Sequence, residues 1–174
     1  MPTVREIYRG RIVTLVLEEV ELPNGKRATL EVVHHPGAAA IVALDGDGCV
    51  VLLRQFRHAA GGYIWEIPAG TLAPGEAPAD CARRELREET GLDGQQWSTL
   101  GSIVTAPGFC DERIQLFLAW ELVESAQQLD ADEILTVSRV PLGRALEMTV
   151  NGEIEDAKSI AALHRASHAI SNER

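Results

Sequence analysis

GTLAPGEAPADCARRELREETGL, the stretch from Gly70 to Leu92, predicts a loop that leads into one helix. Pro78 suits the first turn of that helix, and Gly91 suits the position just beyond its last turn. Ala82 and Leu86 lie four positions apart inside it, so they form an apolar strip on one face. We therefore expect a helix that begins near Pro78, packs on a sheet, and ends before Gly91.

Acidic side chains crowd the second half of this predicted helix. Glu85, Glu88 and Glu89 are spaced by three and four positions, so they project from one side. Like charges at that spacing destabilise a helix by roughly 0.2–0.5 kcal/mol per pair, and a divalent cation would reverse the effect. Arg84 lies beside them and can orient one carboxylate by a charge-assisted hydrogen bond. The alternative is a solvated helix with mixed charges.

The overall composition fits one soluble globular domain of 174 residues. A net charge of −10 argues against a partner that needs a basic surface, which includes nucleic acids and anionic membranes. The longest uncharged apolar stretch, from Gly37 to Leu44, is too short to span a bilayer. We see no secretory signal, and the three widely spaced cysteines are typical of reduced thiols, so we expect a cytoplasmic protein.

Strands dominate the first part of the chain, and helices are concentrated near its end. Asn24-Gly25 is a hairpin signal between two strand-like segments. The pattern predicts an α+β fold. The predicted strands cover residues 11–22, 27–35, 38–44, 49–56, 63–67, 114–122 and 134–140, and the predicted later helices cover residues 141–150 and 156–167.

The spacing of the charged and glycine residues resembles the Nudix box at every defined position. The box-like residues are Gly70, Glu76, Arg84, Glu85, Leu86, Glu88, Glu89, Gly91 and Leu92. Such a set at fixed spacing is much more specific than a mixed-charge helix. The resemblance implies the Nudix fold, an α/β/α sandwich with a mixed sheet, over residues 37–174, preceded by an N-terminal β-hairpin or small sheet over residues 1–36.

The segments that flank the box look like those of the ADP-ribose pyrophosphatase branch of the Nudix family. They include VVLLRQFRHAAGGYIWEIPAGT, from Val50 to Thr71, and a proline, Pro107, fifteen residues beyond Leu92. The late segment GEIEDAKSIAALHRA is also similar to that branch. This resemblance implies hydrolysis of ADP-ribose to AMP and ribose 5-phosphate. The alternatives are a broader nucleoside-diphosphate-sugar pyrophosphatase, acting for example on a GDP-sugar, and a non-catalytic ligand sensor on the same fold.

The resemblance also implies a metal site. Glu85 and Glu89 would be the main ligands, with Glu88 a third and the backbone carbonyl of Ala69 an additional one. The expected cofactor is Mg²⁺ or Mn²⁺, with more than one ion in the site. Arg84 is counted with the catalytic residues because it lies beside these ligands.

The resemblance to the ADP-ribose branch implies a catalytic base outside the box, on a late acidic loop, which in this chain is LDADEI. Glu133 is the first candidate and Asp132 the second, and the alternative is that this loop is only a solvated acidic turn. Glu112, on the loop PGFCDER, is another carboxylate that would assist the metal ions or the base.

Substrate-binding residues are expected on both sides of the box. Arg54 and Arg57 precede it and suit a phosphate or ribose, although a surface salt bridge is the alternative for both. The resemblance adds Glu66, and Arg27 in the N-terminal region. Pro107 and Gly108 are the expected contacts after the box. A homodimer built through the N-terminal strands is also implied.

Overall fold

The computed structural model describes residues 3–129 and 133–172. A four-stranded mixed sheet lies at its centre. It consists of β4 (Ala38–Ala43), β7 (Ala69–Thr71), β8 (Leu92–Val104) and β9 (Arg113–Glu124), in the order β7-β4-β9-β8. β4 and β9 are parallel, whereas the other neighbours are antiparallel.

Every residue of β4 is buried, because helices cover both faces of this sheet. Ala39 and Ile41 pack with α1 (Pro78–Thr90), while Ala40 and Val42 pack in a second core with α3 (Ala157–Asn172) and α2 (Leu142–Val150). The short alanine side chains let both layers approach the strand closely. The predicted α/β/α sandwich is confirmed.

A second, antiparallel sheet positions Glu133. Its strand order is β10-β5-β6, with β5 (Cys49–Arg57), β6 (Gly62–Glu66) and β10 (Leu135–Pro141). Leu135 pairs with Gln55 near the end of β5. The register therefore holds the residues just before β10, including Glu133, beside the end of β5.

The N-terminal region forms a three-stranded sheet, β1 (Thr3–Arg9), β2 (Thr14–Glu21) and β3 (Arg27–His34), in that order. Gly25 adopts a φ of 77° in the turn between β2 and β3, as the hairpin signal predicts. The outer strand β1 is exposed along its whole length, with Val4, Ile7 and Tyr8 at least half exposed.

Some elements differ from the sequence-based expectation. β1, β7 and β8 are strands that the pattern did not predict. The first predicted strand, 11–22, begins only at Thr14, and α3 continues to Asn172 instead of ending near residue 167. Within the described residues, no helix is both long and apolar enough to span a membrane.

Candidate active site

Helix α1 presents two of its acidic residues to the interior rather than to solvent. Only 7% of Glu85 and 1% of Glu89 are exposed, and both lie on the same side as the buried Ala82 and Leu86. Gly70, at the start of the box, makes this possible. A Cβ atom at that position would overlap the carboxylate of Glu85, so any larger residue would displace that carboxylate from its present place.

Three carboxylates meet at this point. Glu85, Glu89 and Glu133 each offer one oxygen, and the three oxygens lie within 4.8 Å of one another. Glu85 and Glu89 come from the helix, whereas Glu133 comes from the segment before β10. Two elements that are far apart in sequence therefore supply one cluster of oxygen ligands, the kind that hard divalent cations prefer.

Burial makes the charges of this cluster costly. Desolvation raises the pKa of Glu85, although the nearby Arg84 guanidinium lowers it in part. Desolvation, followed by the charge of Glu85, holds the pKa of Glu89 well above its ordinary value, and the Ala69 N–H, which donates to Glu89 Oε2 at 2.9 Å, opposes this only partly. Buried anions in contact are stabilised by a bound cation. These residues fit a divalent metal ion.

Arg84 holds the helix and the preceding loop together. Its Nε and Nη2 donate to both oxygens of Glu76 at 2.8 and 3.0 Å, and its Nη1 donates to Glu85 at 2.6 Å and to Glu88 at 2.9 Å. The hydrogen bond from Arg84 lowers the pKa of Glu76 to about 2. Glu88 is thus oriented by Arg84 and stands outside the group of three carboxylates.

The cluster opens into a cavity of about 720 Å³. The cavity has room for a nucleotide-sized molecule. The predicted site residues that line it are Arg57, Glu66, Ala69, Arg84, Glu85, Glu88, Glu89, Glu112 and Glu133. Four other predicted residues, Arg27, Arg54, Pro107 and Gly108, do not line it.

The predicted residues outside the cavity have other surroundings. The guanidinium carbon of Arg54 lies 5.4 Å from the ring centroid of Trp65, in a cation–π contact. Arg27 begins β3, in the N-terminal sheet. Pro107 and Gly108 belong to the loop between β8 and β9. Asp132 lies outside the described residues.

The loop that carries Glu112 is attached to the N-terminal sheet. Glu112 Oε1 lies 3.4 Å from His35 Nδ1, and the neighbouring Asp111 contacts His34 Nδ1 at 2.5 Å. Backbone hydrogen bonds join Val33 to the same loop. The N-terminal sheet therefore helps to position one carboxylate of the cavity.

Sequence reasoning missed several residues that line the cavity. Lys158 and Asp156 come from the start of α3, Gln55 from β5, and Arg11 and Ile12 from the connection between β1 and β2. Lys158 is one of only two lysines in the chain and follows Asp156, a residue type that favours helix starts. The rarity of lysine and the nearby helix-start residue were the features of the sequence that could have drawn attention to Lys158. They do not specify what its ammonium group contacts.

Comparison with known proteins agrees with this geometry. The family described as "NUDIX domain" matches residues 33–164, and the chain belongs to this family. The predicted family membership is confirmed.

The chain is 42% identical to the ADP-ribose pyrophosphatase of Bacillus subtilis, over 91% of this chain and 86% of that one. It is 40% identical to the ADP-ribose pyrophosphatase of Mycobacterium tuberculosis, over 94% and 80% of the two chains. The methanol dehydrogenase activator of Bacillus methanolicus is 41% identical, over 91% and 86%. The crystal structure of an ADP compounds hydrolase matches with a TM-score of 0.84, covering 99% and 95% of the two chains at 23% identity, which supports the fold.

Proposed function

We propose that this protein is a metal-dependent hydrolase that cleaves the diphosphate of ADP-ribose to AMP and ribose 5-phosphate. The observation that carries the proposal is the convergence of the Glu85, Glu89 and Glu133 carboxylates at the cavity. Arg57 lines the same cavity and supplies positive charge for a phosphate. Two relatives at 42% and 40% identity are ADP-ribose pyrophosphatases, which favours this substrate.

The metal ligands in this proposal come from α1 and from the residue before the box. Glu85 and Glu89 would hold Mg²⁺ or Mn²⁺, with Glu88 and the carbonyl of Ala69 completing a site for more than one ion. Bound ions of this kind neutralise a diphosphate and make water more acidic. Arg84 keeps Glu85 and Glu88 in place through its hydrogen bonds.

Glu133 is the proposed base. It takes a proton from a water molecule as the water oxygen bonds to one phosphorus, and the bridging P–O bond breaks to release the other phosphate. Its oxygen lies within 4.8 Å of those of Glu85 and Glu89, so the base acts next to the ligand cluster. Glu112 lines the cavity outside this group and has an assisting role.

The substrate occupies the cavity, with Arg57 and Glu66 as its contacts on the side of β5 and β6. Pro107 and Gly108 remain predicted contacts from the loop after β8. Arg27 and Arg54 do not line the cavity within one chain. Arg27 would therefore contact substrate only across a dimer.

A homodimer through the N-terminal region, residues 1–36, is part of the proposal. Val4, Ile7 and Tyr8 are 53%, 50% and 60% exposed on the outer strand β1, and a partner would cover them. Sedimentation at several concentrations tests this. A dimer is expected, and a monomer at every concentration contradicts it.

The substrate is tested by a panel of ADP-ribose, GDP-mannose and other nucleoside-diphosphate sugars, assayed with Mg²⁺ and with products identified by mass. The expected result is a kcat/KM for ADP-ribose at least about tenfold above the others. Faster turnover of a GDP-sugar would show that this compound, rather than ADP-ribose, is the preferred substrate. Binding without turnover of any compound would indicate a ligand sensor.

A further inference from the structure

We propose that Lys158 is a positioning residue, which acts through Glu66 to hold Arg57 in the orientation that binds a diphosphate. The inference rests on the proposed function, because Arg57 is taken to contact the phosphates. Lys158 belongs to the first turn of α3, far in sequence from the other two residues. It reaches the cavity because α3 packs across the central sheet next to the end of β6.

Glu66 lies between two cations. Its side chain is 4% exposed, and its Oε2 accepts a hydrogen bond from Arg57 Nε at 2.7 Å. Its Oε1 accepts a hydrogen bond from Lys158 Nζ at 2.5 Å. Each oxygen of this buried carboxylate thus has its own charged donor, which fixes the plane of the carboxylate.

The first turn of α3 is itself fixed against the segment that follows β6. Asp156 Oδ2 accepts the backbone N–H of Ser159 at 3.0 Å, in the manner of a helix cap, and also lies 3.0 Å from Lys158 Nζ. The Ser159 hydroxyl accepts the N–H of Ile67 at 2.9 Å. Hydrogen bonds thus hold the start of α3, which carries Lys158, against Ile67, the residue next to Glu66.

The location of Lys158 is unfavourable for the helix alone. A cation in the first turn opposes the helix dipole, and a lysine is more stable near the C-terminal end. The side chain is only 11% exposed, so it does not gain from hydration either. These costs indicate that the contact with Glu66, rather than helix stability, accounts for a lysine at this position.

The orientation of Arg57 depends on Lys158 because the two cations bind different oxygens of Glu66. Arg57 binds Glu66 through Nε, and 41% of its side chain is exposed where it lines the cavity. Without Lys158, the second oxygen of Glu66 would lack its donor and would draw a second N–H of Arg57, because carboxylates favour paired contacts with guanidinium groups. That rotation would turn the guanidinium away from the diphosphate.

A double-mutant cycle tests the inference by calorimetric binding of methylenediphosphonate with Mg²⁺, a diphosphate mimic that cannot be hydrolysed. Lys158→Met and Arg57→Met are each expected to weaken binding about tenfold, and the double variant to bind about as weakly as Arg57→Met alone. Lys158→Arg should restore binding to within about threefold. The control is Lys26→Met. Lys26 is the other lysine of the chain and is exposed at the turn between β2 and β3, so this change should leave binding unchanged.

Two results overturn the inference. One is a dissociation constant of Lys158→Met within about twofold of that of the wild type. The other is a double variant whose loss of affinity equals the product of the losses caused by Lys158→Met and Arg57→Met separately. A lower melting temperature with unchanged binding counts as the first of these. If Lys158→Met does not fold, Lys158→Ala takes its place in the cycle with the same expectation. The probe is not a substrate, so failure to hydrolyse ADP-ribose would refute the proposed function and still leave this cycle with a result.

Discussion

Replacing Glu89 with glutamine removes a buried charge while keeping the size of the side chain and an oxygen that accepts the Ala69 N–H. Glu89 is 1% exposed, and desolvation holds its pKa well above its ordinary value near 4.5. A carboxyl group whose pKa is higher in the folded than in the unfolded state stabilises the folded state, and this contribution is complete when the pH is below the unfolded-state pKa. That contribution is lost as the pH rises through the folded pKa.

The glutamine variant resembles the protonated form of Glu89 at every pH. Near neutral pH and without metal, it should therefore be more stable than the wild type, by about 1–3 kcal/mol, the size of the desolvation penalty of a buried polar group. A domain of this size gains roughly 2–4 °C in melting temperature per kcal/mol. The expected rise is about 2–12 °C.

Thermal unfolding of both proteins, with EDTA and with excess Mg²⁺, measures the effect. Mg²⁺ should raise the melting temperature of the wild type and have a much smaller effect on Glu89→Gln, which also loses ADP-ribose hydrolysis. Glu147→Gln is the control, since Glu147 is 72% exposed on α2 and outside the cavity. Lower stability of Glu89→Gln in EDTA, or an equal response of both proteins to Mg²⁺, would refute the reasoning.

Three further substitutions test other parts of the site. Gly70→Ala should cost about 1–3 kcal/mol of stability and at least about tenfold in kcat, because its Cβ would displace the Glu85 carboxylate, which is proposed to hold the metal. Gly46→Ala, in open space, should do neither, and equal melting temperatures for the two variants would contradict this. Glu133→Gln should lower kcat about 10²-fold with KM changed less than about threefold, whereas Glu112→Gln should have a smaller effect on kcat; equal losses would reject Glu133 as the base. Glu76→Gln should lose about 1–3 kcal/mol at neutral pH in denaturant titrations. Because the pKa of Glu76 is lowered to about 2, the stability that its charged form contributes is present above pH 4.5 and lost as the pH falls towards 2. A difference in unfolding free energy between wild type and variant that stays constant over this range would contradict the prediction.

The helix of the box could be read from the sequence because its evidence is local. Pro78 and Gly91 mark the two ends as expected, and Gly91 adopts a φ of 70° beyond the last turn. Spacings of three and four positions were enough to place Glu85 and Glu89 on one face. They could not show that this face is buried, since burial depends on the packing of α1 against the central sheet.

The strand β8 was missed because its glycines resemble turn signals. Gly94 allows close packing instead, since a Cβ there would lie 2.9 Å from the Cβ of Ala119. Gly101 has a φ of 82° at an irregularity in the pairing with β9. Both are roles that glycine has inside strands, and they become visible only with the neighbouring strand in place.

Residues that meet across long sequence distances were the least predictable. Glu133 was selected by the family resemblance and by the predicted strand that follows it, and the register of that strand with β5 brings its carboxylate to those of Glu85 and Glu89. Lys158 and Glu66 are 92 positions apart, and no pattern in the chain joins them. Contacts of this kind follow from tertiary packing rather than from periodicity.

Hydrolysis of ADP-ribose in ¹⁸O-labelled water, with products identified by mass spectrometry, tests the central claim most directly. Water attack on phosphorus predicts AMP and ribose 5-phosphate with one ¹⁸O atom on a phosphate group, formed with Mg²⁺ and not with EDTA. Release of ADP and free ribose, label on the C5 oxygen of ribose, or equal turnover in EDTA would contradict metal-dependent cleavage of the diphosphate at this cavity.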